Sequence, residues 1–273
     1  MWNFLIDRLI GSLRGYPLQG KGFVFDRFVS RHGFRDASVF GYRVSLDLSD
    51  LIQRGVYLGC FERLESLWVR RILKPGMTFV DAGANVGYFS FLAASRVGDQ
   101  GKVIAFEPNP RLNQRLAEWI RDNRIQQLSL FHEGLSDYDG QIVLHLPPNH
   151  IHNENATMIP WDDLQDWQKV DVPVVRLDRK LQALGITQVD LLKLDVEGHE
   201  PRILAGLGNL LAQGIVRNIL CEFNEPALQK TGWSSASLRD FLLEKGFLDV
   251  TPRPWNDDDW LQNRIFQFKG LSS

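Results

Sequence analysis

Short apolar runs rich in β-branched residues alternate with segments of helical period from residue 78 onward. Runs that are apolar on both faces are typical of strands in a parallel sheet that helices cover on both sides. The predicted strands are Thr78–Asp81, Val103–Glu107, Leu128–His132, Asp190–Asp195 and Asn218–Glu222. The predicted helices are Val86–Ser95, Arg111–Asn123, Glu200–Leu211 and Ser235–Lys245. With right-handed crossovers, this order predicts an α/β fold with a Rossmann-like, doubly wound, mostly parallel sheet.

Two pairs of strands interrupt or close this alternation. Gln141–Leu146 and Val170–Leu177 alternate apolar and polar residues around a polar loop, Pro147–Gln165, and we interpret them as an inserted strand pair. Phe247–Thr251 and Arg264–Phe268 predict a closing pair of strands.

Residues 1–72 are interpreted as an N-terminal cap packed on a single Rossmann-like unit that spans residues 73–273. Short alternating runs at Phe23–Phe28 and Tyr42–Leu46 predict strands in the cap. A helix predicted over Phe61–Ile72 ends at Lys74-Pro75-Gly76, a strong stop signal.

The first residues of the cap carry an apolar stripe near helical spacing. Its members are Trp2, Phe4, Leu5, Leu9, Ile10 and Leu13. We expect a short helix packed on the body of the same protein, with a membrane surface or a partner, such as a second copy in a homo-oligomer, as the alternative. No apolar run approaches the ~18 residues of a transmembrane helix, and the stripe lacks the basic start of a signal peptide.

Composition and charge exclude several classes of protein. Of the 273 residues, 44% are hydrophobic and 23% are charged, which fits a globular chain rather than a disordered, collagen-like or disulfide-stapled one. The 31 basic and 33 acidic residues give a net charge of −2, so no overall charge attracts nucleic acid. The two cysteines, Cys60 and Cys221, lie far apart, which indicates packing thiols in a reducing, cytoplasmic compartment.

A glycine-rich turn follows the first predicted core strand, at the edge where open parallel sheets bind ligands. It reads Asp81-Ala82-Gly83-Ala84-Asn85-Val86-Gly87 and leads into a helix. Glycines at 83 and 87 allow a tight turn and close approach of the backbone to a ligand. The pattern differs from the G-x-G-x-x-G of a dinucleotide loop and from the Gly-Lys-Ser/Thr of a P-loop.

Two carboxylates near this turn discriminate among nucleoside ligands. Asp81 would repel a pyrophosphate but suits an ammonium group, held directly or through water. Glu107 ends the second strand, twenty residues after Gly87, where a carboxylate accepts the ribose hydroxyls. Alone, Asp81 could be a helix N-cap and Glu107 could be solvated. The turn and both carboxylates in this order favour S-adenosylmethionine over NAD and ATP.

Four motifs then occur together in chain order. They are FVDAGANVGY at Phe79–Tyr88, AFEPNP at Ala105–Pro110, LSDYDG at Leu135–Gly140 and DLLKLDVEGHE at Asp190–Glu200. In these motifs the chain resembles the FkbM-type methyltransferases, which are S-adenosylmethionine-dependent O-methyltransferases of the Rossmann-like, class I methyltransferase type. The resemblance runs from about residue 42 to 250. It implies methyl transfer to a hydroxyl group of a sugar, a glycosylated metabolite or a polyketide-like metabolite.

The resemblance also implies a set of cofactor-binding residues. The methionine part of the cofactor would be lined by Asp81, Gly83, Asn85 and Gly87. Glu107 would hold the ribose, and Pro108 and Asn109 would lie beside the adenine, with Ser136 and Asp137 at the adenine edge.

The end of the fourth predicted strand carries the catalytic candidates. An alcohol is a weak nucleophile, so its proton must leave to a base, or a metal must lower its pKa. In strand alternation Lys193 and Asp195 share one face, with Asp195 at the carboxyl end beside the cofactor and counted with its ligands. A lysine inside this strand needs a partner, which Asp195 or Glu222 on the next strand can supply. A purely structural buried salt bridge is an equal alternative for Lys193.

Glu197 and His199 follow this strand and are further catalytic candidates. The ordinary pKa of histidine suits proton transfer near neutrality, so His199 is expected to be the base, with a solvent-facing histidine as the alternative. Glu200 is expected to complement the helix dipole.

A divalent metal is a further alternative. Asp195, Glu222 and Asn224 could form an oxygen-rich Mg²⁺ site like that of catechol-type O-methyltransferases, but their spacing differs and a metal is not favoured.

Acceptor recognition is expected from the inserted region and the N-terminal cap, and the aromatic and amide groups in or near the polar loop suit a sugar. The candidate residues are His150, His152, Asn153, Asn155, Thr157, Trp161 and Trp167.

Two other functions stay open. One is a methyltransferase that acts on a nucleic acid or a protein, although Leu194-Asp195-Val196-Glu197 replaces the (D/N)-P-P-(Y/F/W) signature of base amino methylation. The other is a non-catalytic cofactor-binding module.

Overall fold

A computed structural model describes residues 32–148, 156–159 and 166–270 of the chain. The strands are β1 (Phe34–Val39), β2 (Tyr42–Asp47), β3 (Thr78–Ala82), β4 (Lys102–Phe106), β5 (Leu128–Phe131), β6 (Gly134–Ser136), β7 (Gly140–Leu146), β8 (Gln168–Arg176), β9 (Leu191–Leu194), β10 (Asn218–Asn224), β11 (Phe247–Asp249) and β12 (Leu261–Phe268). The helices are α1 (Leu51–Leu58), α2 (Arg63–Ile72), α3 (Tyr88–Val97), α4 (Pro110–Asp122), α5 (Leu177–Ala183), α6 (Glu200–Leu207), α7 (Asn209–Ala212), α8 (Glu225–Lys230) and α9 (Ser235–Glu244).

The centre of the fold is a seven-stranded sheet in the order β11-β12-β10-β9-β3-β4-β5. The five strands from β10 to β5 in this order are parallel to one another. Strand β12 runs antiparallel to both β10 and β11. The predicted Rossmann-like, mostly parallel sheet is therefore confirmed. The strand order reverses between β3 and β9, so the carboxyl ends of these two strands open a crevice.

Successive residues of each central strand pack on opposite faces of the sheet, because side chains alternate along a strand. Phe79 and Leu191 belong to the buried cluster that includes α3 and α4, whereas Val80 and Leu192 belong to the cluster beneath α5, α6 and α9. Both faces are thus covered, as the near-continuous apolar runs predict.

The residues before the core form a hairpin of β1 and β2 followed by α1 and α2. Buried side chains of these elements, such as Leu46, Tyr57 and Val69, share one apolar cluster with α3 and α4. This packing brings the start of α2 to the carboxyl edge of the central sheet. The predicted run Phe23–Phe28 and the N-terminal apolar stripe lie outside the described residues, and the division at residue 72 stays a prediction.

The inserted strand pair is β7 and β8, which are antiparallel and form a three-stranded sheet with β6 in the order β6-β8-β7. Two expectations differ in detail. The helix predicted over Glu200–Leu211 divides at Gly208, whose backbone adopts φ 53° and ψ −125°. The strand predicted to reach Leu177 ends one residue earlier, because Leu177 begins α5. No helix of the described chain is long and apolar enough to cross a membrane.

Candidate active site

Two clefts open at the carboxyl ends of β3, β4, β9 and β10. The first, here the Glu107 cleft, includes Phe106, Glu107, Pro108 and Leu135 in its lining. The second, here the Lys193 cleft, includes Glu62, Tyr88, Phe89, Lys193 and Glu222 in its lining. Both clefts are bordered by Gly83, Asn85, Asp195 and Glu197, so they meet at these four residues.

The glycine-rich turn separates the two clefts. Gly83 has φ 81°, and a Cβ atom added there would lie 2.0 Å from the carbonyl oxygen of Asp195. Only glycine fits this approach, which brings the turn against the end of β9. The amides of Gly83 and Ala84 donate to the carbonyl oxygen of Phe106 at 3.1 and 2.9 Å, so the turn is also fixed to β4. Gly87 has φ 75° and leads directly into α3.

Glu107 lies at the end of β4 with its carboxyl group in the Glu107 cleft. Its Oε2 accepts a hydrogen bond from the amide of Asn85 at 2.6 Å, and its Oε1 accepts one from the amide of Asn109 at 2.8 Å. Burial raises the pKa of Glu107 to about 7, although these two hydrogen bonds favour the charged form. The carboxyl group therefore ties the turn after β3 to the turn after β4.

Asp81 is fully buried beneath the glycine-rich turn rather than in either cleft. Its Oδ2 accepts a hydrogen bond from Ser90 Oγ of α3 at 2.5 Å, and no described residue donates to its Oδ1. Burial raises the pKa of Asp81, and the nearby Lys193 ammonium opposes that shift. The expected contact with a ligand ammonium group, directly or through water, stays a prediction.

Lys193 pairs with Asp195, as the alternation along the strand predicts. Lys193 Nζ lies 2.7 Å from Asp195 Oδ2 and 4.9 Å from the centre of the Phe89 ring. In the sheet, Lys193 is also the register partner of Asp81 on β3. Burial alone would lower the pKa of Lys193, but the carboxylates of Asp195, Asp81 and Glu62 raise it above its ordinary value.

Glu197 and Glu222 complete an acidic group around this ammonium. Glu197 has φ 54°, and its Oε2 accepts a hydrogen bond from Asn224 Nδ2 at 3.1 Å. Burial raises the pKa of Glu197 to about 7, with a further contribution from Asp195. Burial and the same neighbour raise the pKa of Glu222 well above its ordinary value. Glu222 follows Cys221, and Cys221 is the register partner of Leu194 where β10 pairs with β9. Glu222 and Asp195 therefore lie side by side near the carboxyl edge of the sheet.

Two carboxyl groups near the clefts were not among the predicted catalytic or cofactor-binding residues. Glu62, just before α2, lines the Lys193 cleft, and burial raises its pKa to about 8. Glu200 is fully buried, and its Oε1 accepts hydrogen bonds from the amides of Val196 and Gly198 at 3.0 and 3.3 Å. Glu200 thus fixes the loop that carries Glu197, rather than only complementing the helix dipole. Glu62 lies within the resemblance, which begins at about residue 42, and this was the one available signal for it.

The predicted metal-ligand set differs from the observed grouping. One carboxylate oxygen each of Asp195, Glu197 and Glu222 lie within 4.8 Å of one another, a grouping that could hold a metal ion. The side-chain oxygen of Asn224 is not part of this carboxylate grouping. Asn224 Oδ1 instead accepts a hydrogen bond from the amide of Ala227 and so caps α8. The Lys193 ammonium already neutralises Asp195 at this point.

His199 lies away from these carboxylates. Its Nε2 is 3.2 Å from Ser136 Oγ, and it lines a separate cavity with Tyr138 and Arg202. Burial lowers the pKa of His199 to about 4, so the imidazole is a weak base. The left-handed backbone of Glu197 and Gly198 redirects the chain between the carboxylates and this histidine.

The remaining predicted cofactor residues take different positions. Pro108 lines the Glu107 cleft, whereas the Asn109 side chain accepts from the amide of Arg111 and caps α4. Ser136 is buried behind this cleft, where its hydroxyl donates to Asp137 Oδ1 at 3.1 Å, and Asp137 forms an ion pair with Arg202.

Part of the predicted acceptor region is also described. Thr157 exchanges two backbone hydrogen bonds with His145, and its neighbours Ala156 and Met158 line the Glu107 cleft. Trp167 lies just before β8 and outside both clefts. His150, His152, Asn153, Asn155 and Trp161 lie outside the described residues.

The chain is similar to known methyltransferases. Residues 81–248, more than half of the chain, match the family model of the methyltransferase FkbM domain. The chain is 31% identical over 200 residues to methyltransferase sdnD of Sordaria araneosa, which covers 63% of this chain and 73% of that protein. It is 26% identical over 208 residues to the 2-O-methyltransferase NoeI of Sinorhizobium fredii, covering 70% of this chain and 81% of that protein. It is also 26% identical over 131 residues to the hexuronic acid methyltransferase AglP of Haloferax volcanii, covering 48% and 50%.

Proposed function

The chain belongs to the methyltransferase FkbM family of S-adenosylmethionine-dependent methyltransferases, and we propose that it methylates a hydroxyl group of a sugar or a glycosylated metabolite. The observation that carries this proposal is the meeting of the Glu107 cleft and the Lys193 cleft at Gly83, Asn85, Asp195 and Glu197. Methyl transfer needs two ligand sites that share one point, because the acceptor oxygen must come within about 3 Å of the methyl group, in line with sulfur.

The Glu107 cleft fits the nucleoside part of the cofactor. Phe106, Pro108 and Leu135 offer apolar surface to a base, beside the carboxyl group of Glu107. A carboxylate oxygen accepts more than one hydrogen bond, so both oxygens of Glu107 can bind ribose hydroxyls while they hold the two turns. When bound there, S-adenosylmethionine supplies a methyl group on a positively charged sulfur.

The buried Asp81 has a supporting role in this proposal. Its hydrogen bond to Ser90 joins β3 to α3 directly beneath the glycine-rich turn. We therefore assign Asp81 to holding Gly83 and Asn85 at the cofactor, and not to direct contact with the ligand.

The carboxyl groups where the clefts meet can accept the hydroxyl proton. Glu197 borders both clefts, and its pKa of about 7 is close to the value at which a base is most effective near neutral pH. Lys193 holds the Asp195 carboxylate beside it, where that carboxylate can orient the acceptor hydroxyl, with Glu222 alongside. Because His199 lies outside both clefts and is a weak base, Glu197 replaces it as the proposed proton acceptor.

The walls of the Lys193 cleft suit a sugar ring. Phe61 and Tyr88 offer aromatic surface, and the carboxyl groups of the same lining can hydrogen-bond several hydroxyls. The names of two relatives support oxygen and sugar chemistry, since one is a 2-O-methyltransferase and another a hexuronic acid methyltransferase.

Two linked measurements test this function. Isothermal titration should detect binding of S-adenosylmethionine, and labelled methyl groups should then appear on a member of a panel of sugars and glycosides. Glu197→Gln should lower that transfer by about 100-fold or more, which is the usual contribution of a general base. Glu118→Gln, an exposed substitution on α4, is the matched control and should leave the rate unchanged.

Three outcomes would contradict the proposal. Binding without transfer to any hydroxylated acceptor would favour a non-catalytic cofactor-binding module. Tighter binding of a pyrophosphate nucleotide would contradict the cofactor site. A full rate in Glu197→Gln would remove Glu197 as the proton acceptor.

A further inference from the structure

We propose that the Lys193 cleft selects a hydroxylated acceptor that carries an amine and no acidic group, and that Glu62 is one of the residues that set this selection. The inference rests on the proposed function, because it concerns the acceptor of that reaction. Its basis is the combination of an aromatic wall and an acidic wall in one cleft.

The aromatic wall is a packed group of rings. The centre of the Tyr88 ring lies 5.1 Å from that of Phe61 and 5.2 Å from that of Phe89, and all three residues line the cleft. Aromatic faces stack on the apolar face of a sugar and also attract a positively charged group. The aromatic faces do not attract a negatively charged group.

The acidic wall has more carboxyl groups than basic ones. Four carboxyl groups line it, those of Glu62, Asp195, Glu197 and Glu222. Among the described residues of this lining, Lys193 is the single basic side chain, and its ammonium is already paired with Asp195 at 2.7 Å. A carboxylate or phosphate on the acceptor would therefore find no free cation. Above about pH 8, where Glu62 and Glu197 are ionised, it would also meet like charges, whereas an amine would meet complementary ones.

Glu62 belongs to this wall although it comes from the N-terminal elements. It has φ 33° and ψ 58°, a left-handed backbone that is costly for a residue with a side chain. It precedes α2, yet its carboxyl group does not cap the helix. Instead the backbone carbonyl oxygen of Glu62 accepts a hydrogen bond from Ser66 Oγ at 2.7 Å, which fixes the turn.

The Glu62 side chain is available for a ligand. Within the described chain no hydrogen-bond donor contacts its carboxyl group, which faces the charges of Lys193 and Asp195 across the cleft. A strained residue whose carboxyl group supports neither its own helix nor a neighbouring turn is suited to contacting the acceptor.

A matched series of glycosides tests the selection. The probes are three methyl glucosides that differ only at carbon 6, which carries an amine, a hydroxyl or a carboxylate. At about pH 8.5, above the pKa values of about 8 for Glu62 and about 7 for Glu197, the rate of labelled methyl transfer should follow the order amine, hydroxyl, carboxylate, with kcat/KM at least roughly tenfold higher for the amine than for the carboxylate. Equal rates, or faster methylation of the carboxylate, would overturn the inference while leaving the proposed methyl transfer intact. No transfer to any of the three, with cofactor bound, would instead contradict the proposed sugar acceptor and the inference with it.

A variant pair tests the role of Glu62. Glu62→Gln keeps the shape but removes the charge, and should reduce the amine-to-carboxylate ratio of kcat/KM by about threefold or more. The Kd of S-adenosylhomocysteine should stay unchanged, because Glu62 lines only the acceptor side. Glu118→Gln, an exposed substitution on α4 outside the cleft lining, should leave the ratio as it is. An unchanged ratio in Glu62→Gln with normal cofactor binding would remove Glu62 from the selection.

Discussion

Replacement of Lys193 by Met should destabilise the protein, and the loss should depend strongly on pH. Lys193 is 4% exposed and forms a 2.7 Å ion pair with Asp195, while the carboxyl groups of Asp81 and Glu62 also act on its ammonium. Met has a similar volume, so the substitution removes the charge with little change in packing. What remains is a group of buried carboxylates without a cation.

The expected loss can be estimated from this arrangement. Removal of one partner from a buried ion pair typically costs about 3–5 kcal/mol. Asp195 keeps a side-chain exposure of 27%, which allows some solvation, so we expect a loss near the lower limit of about 3 kcal/mol at pH 8. As pH falls, Glu62 and Glu197 become protonated below their pKa values of about 8 and about 7, and the ammonium then compensates fewer charges. The loss should therefore shrink by roughly half at about pH 5.5.

The direction of this pH dependence follows from the number of protons that each folded protein binds. Without the ammonium, the carboxyl pKa values rise further, so the folded variant holds more protons than the folded parent near neutral pH. Stability rises on acidification where the folded state binds more protons, so the variant recovers stability relative to the parent as pH falls.

Urea unfolding at about pH 5.5, 6.5 and 8 measures these differences as changes in the free energy of unfolding. Arg121→Met is the control for an exposed ion pair, since Arg121 pairs with Asp122 at 3.2 Å and the two side chains are 72% and 64% exposed. Its loss should be about 1 kcal/mol or less and nearly independent of pH. The electrostatic account of the Lys193 cleft would be refuted if Lys193→Met lost as little free energy of unfolding as the control, with as little dependence on pH.

Four further predictions concern the two clefts. Glu107→Ala should weaken S-adenosylmethionine binding by at least about 1.5 kcal/mol, roughly tenfold in Kd, because the ribose loses a charged acceptor; an unchanged Kd by isothermal titration would contradict the cofactor site. Gly83→Ala should lower the Tm and abolish cofactor binding, since its Cβ would lie 2.0 Å from the Asp195 carbonyl oxygen; a parental Tm would show that the turn is not held there. His199→Gln should leave the pH profile of turnover unchanged between about pH 5.5 and about pH 8.5, because the His199 pKa is about 4; loss of an inflection would restore His199 as the base. Dialysis against EDTA should leave methyl transfer intact, because Lys193 neutralises Asp195, and recovery that requires Mg²⁺ would show that the carboxylates hold an ion.

The core of the fold could be predicted because its signals are local. Each central strand is a short apolar run, and the five strands from β10 to β5 lie within three residues of their predicted bounds. The elements that were missed have weaker signals. The helix α8 has six residues, too few for a clear period, and depends on the Asn224 cap. The helix α1 likewise begins at a cap, where Asp50 accepts from the amide of Gln53.

The residues of the site could be predicted only where they lie near the carboxyl ends of strands in the central sheet. Asp195 and Glu222 come together because neighbouring parallel strands end at the same edge. Glu62 is far from them in sequence, and its approach depends on the packing of the N-terminal hairpin and α2 against α3, which no local pattern specifies. His199 was expected beside the acceptor but does not line either cleft, because two consecutive left-handed residues, Glu197 and Gly198, turn the chain away from the carboxylates.

The distribution of backbone strain supports a functional role for the Lys193 cleft independently of its charges. Five residues other than glycine have positive φ in the described chain, namely Phe40, Glu62, Asn85, Arg124 and Glu197. Three of them, Glu62, Asn85 and Glu197, line this one cleft. Such conformations cost about 1–3 kcal/mol each and persist where the surrounding structure enforces them. Strain and buried carboxylates both oppose stability, so their coincidence in one cleft is better explained by ligand chemistry than by folding alone.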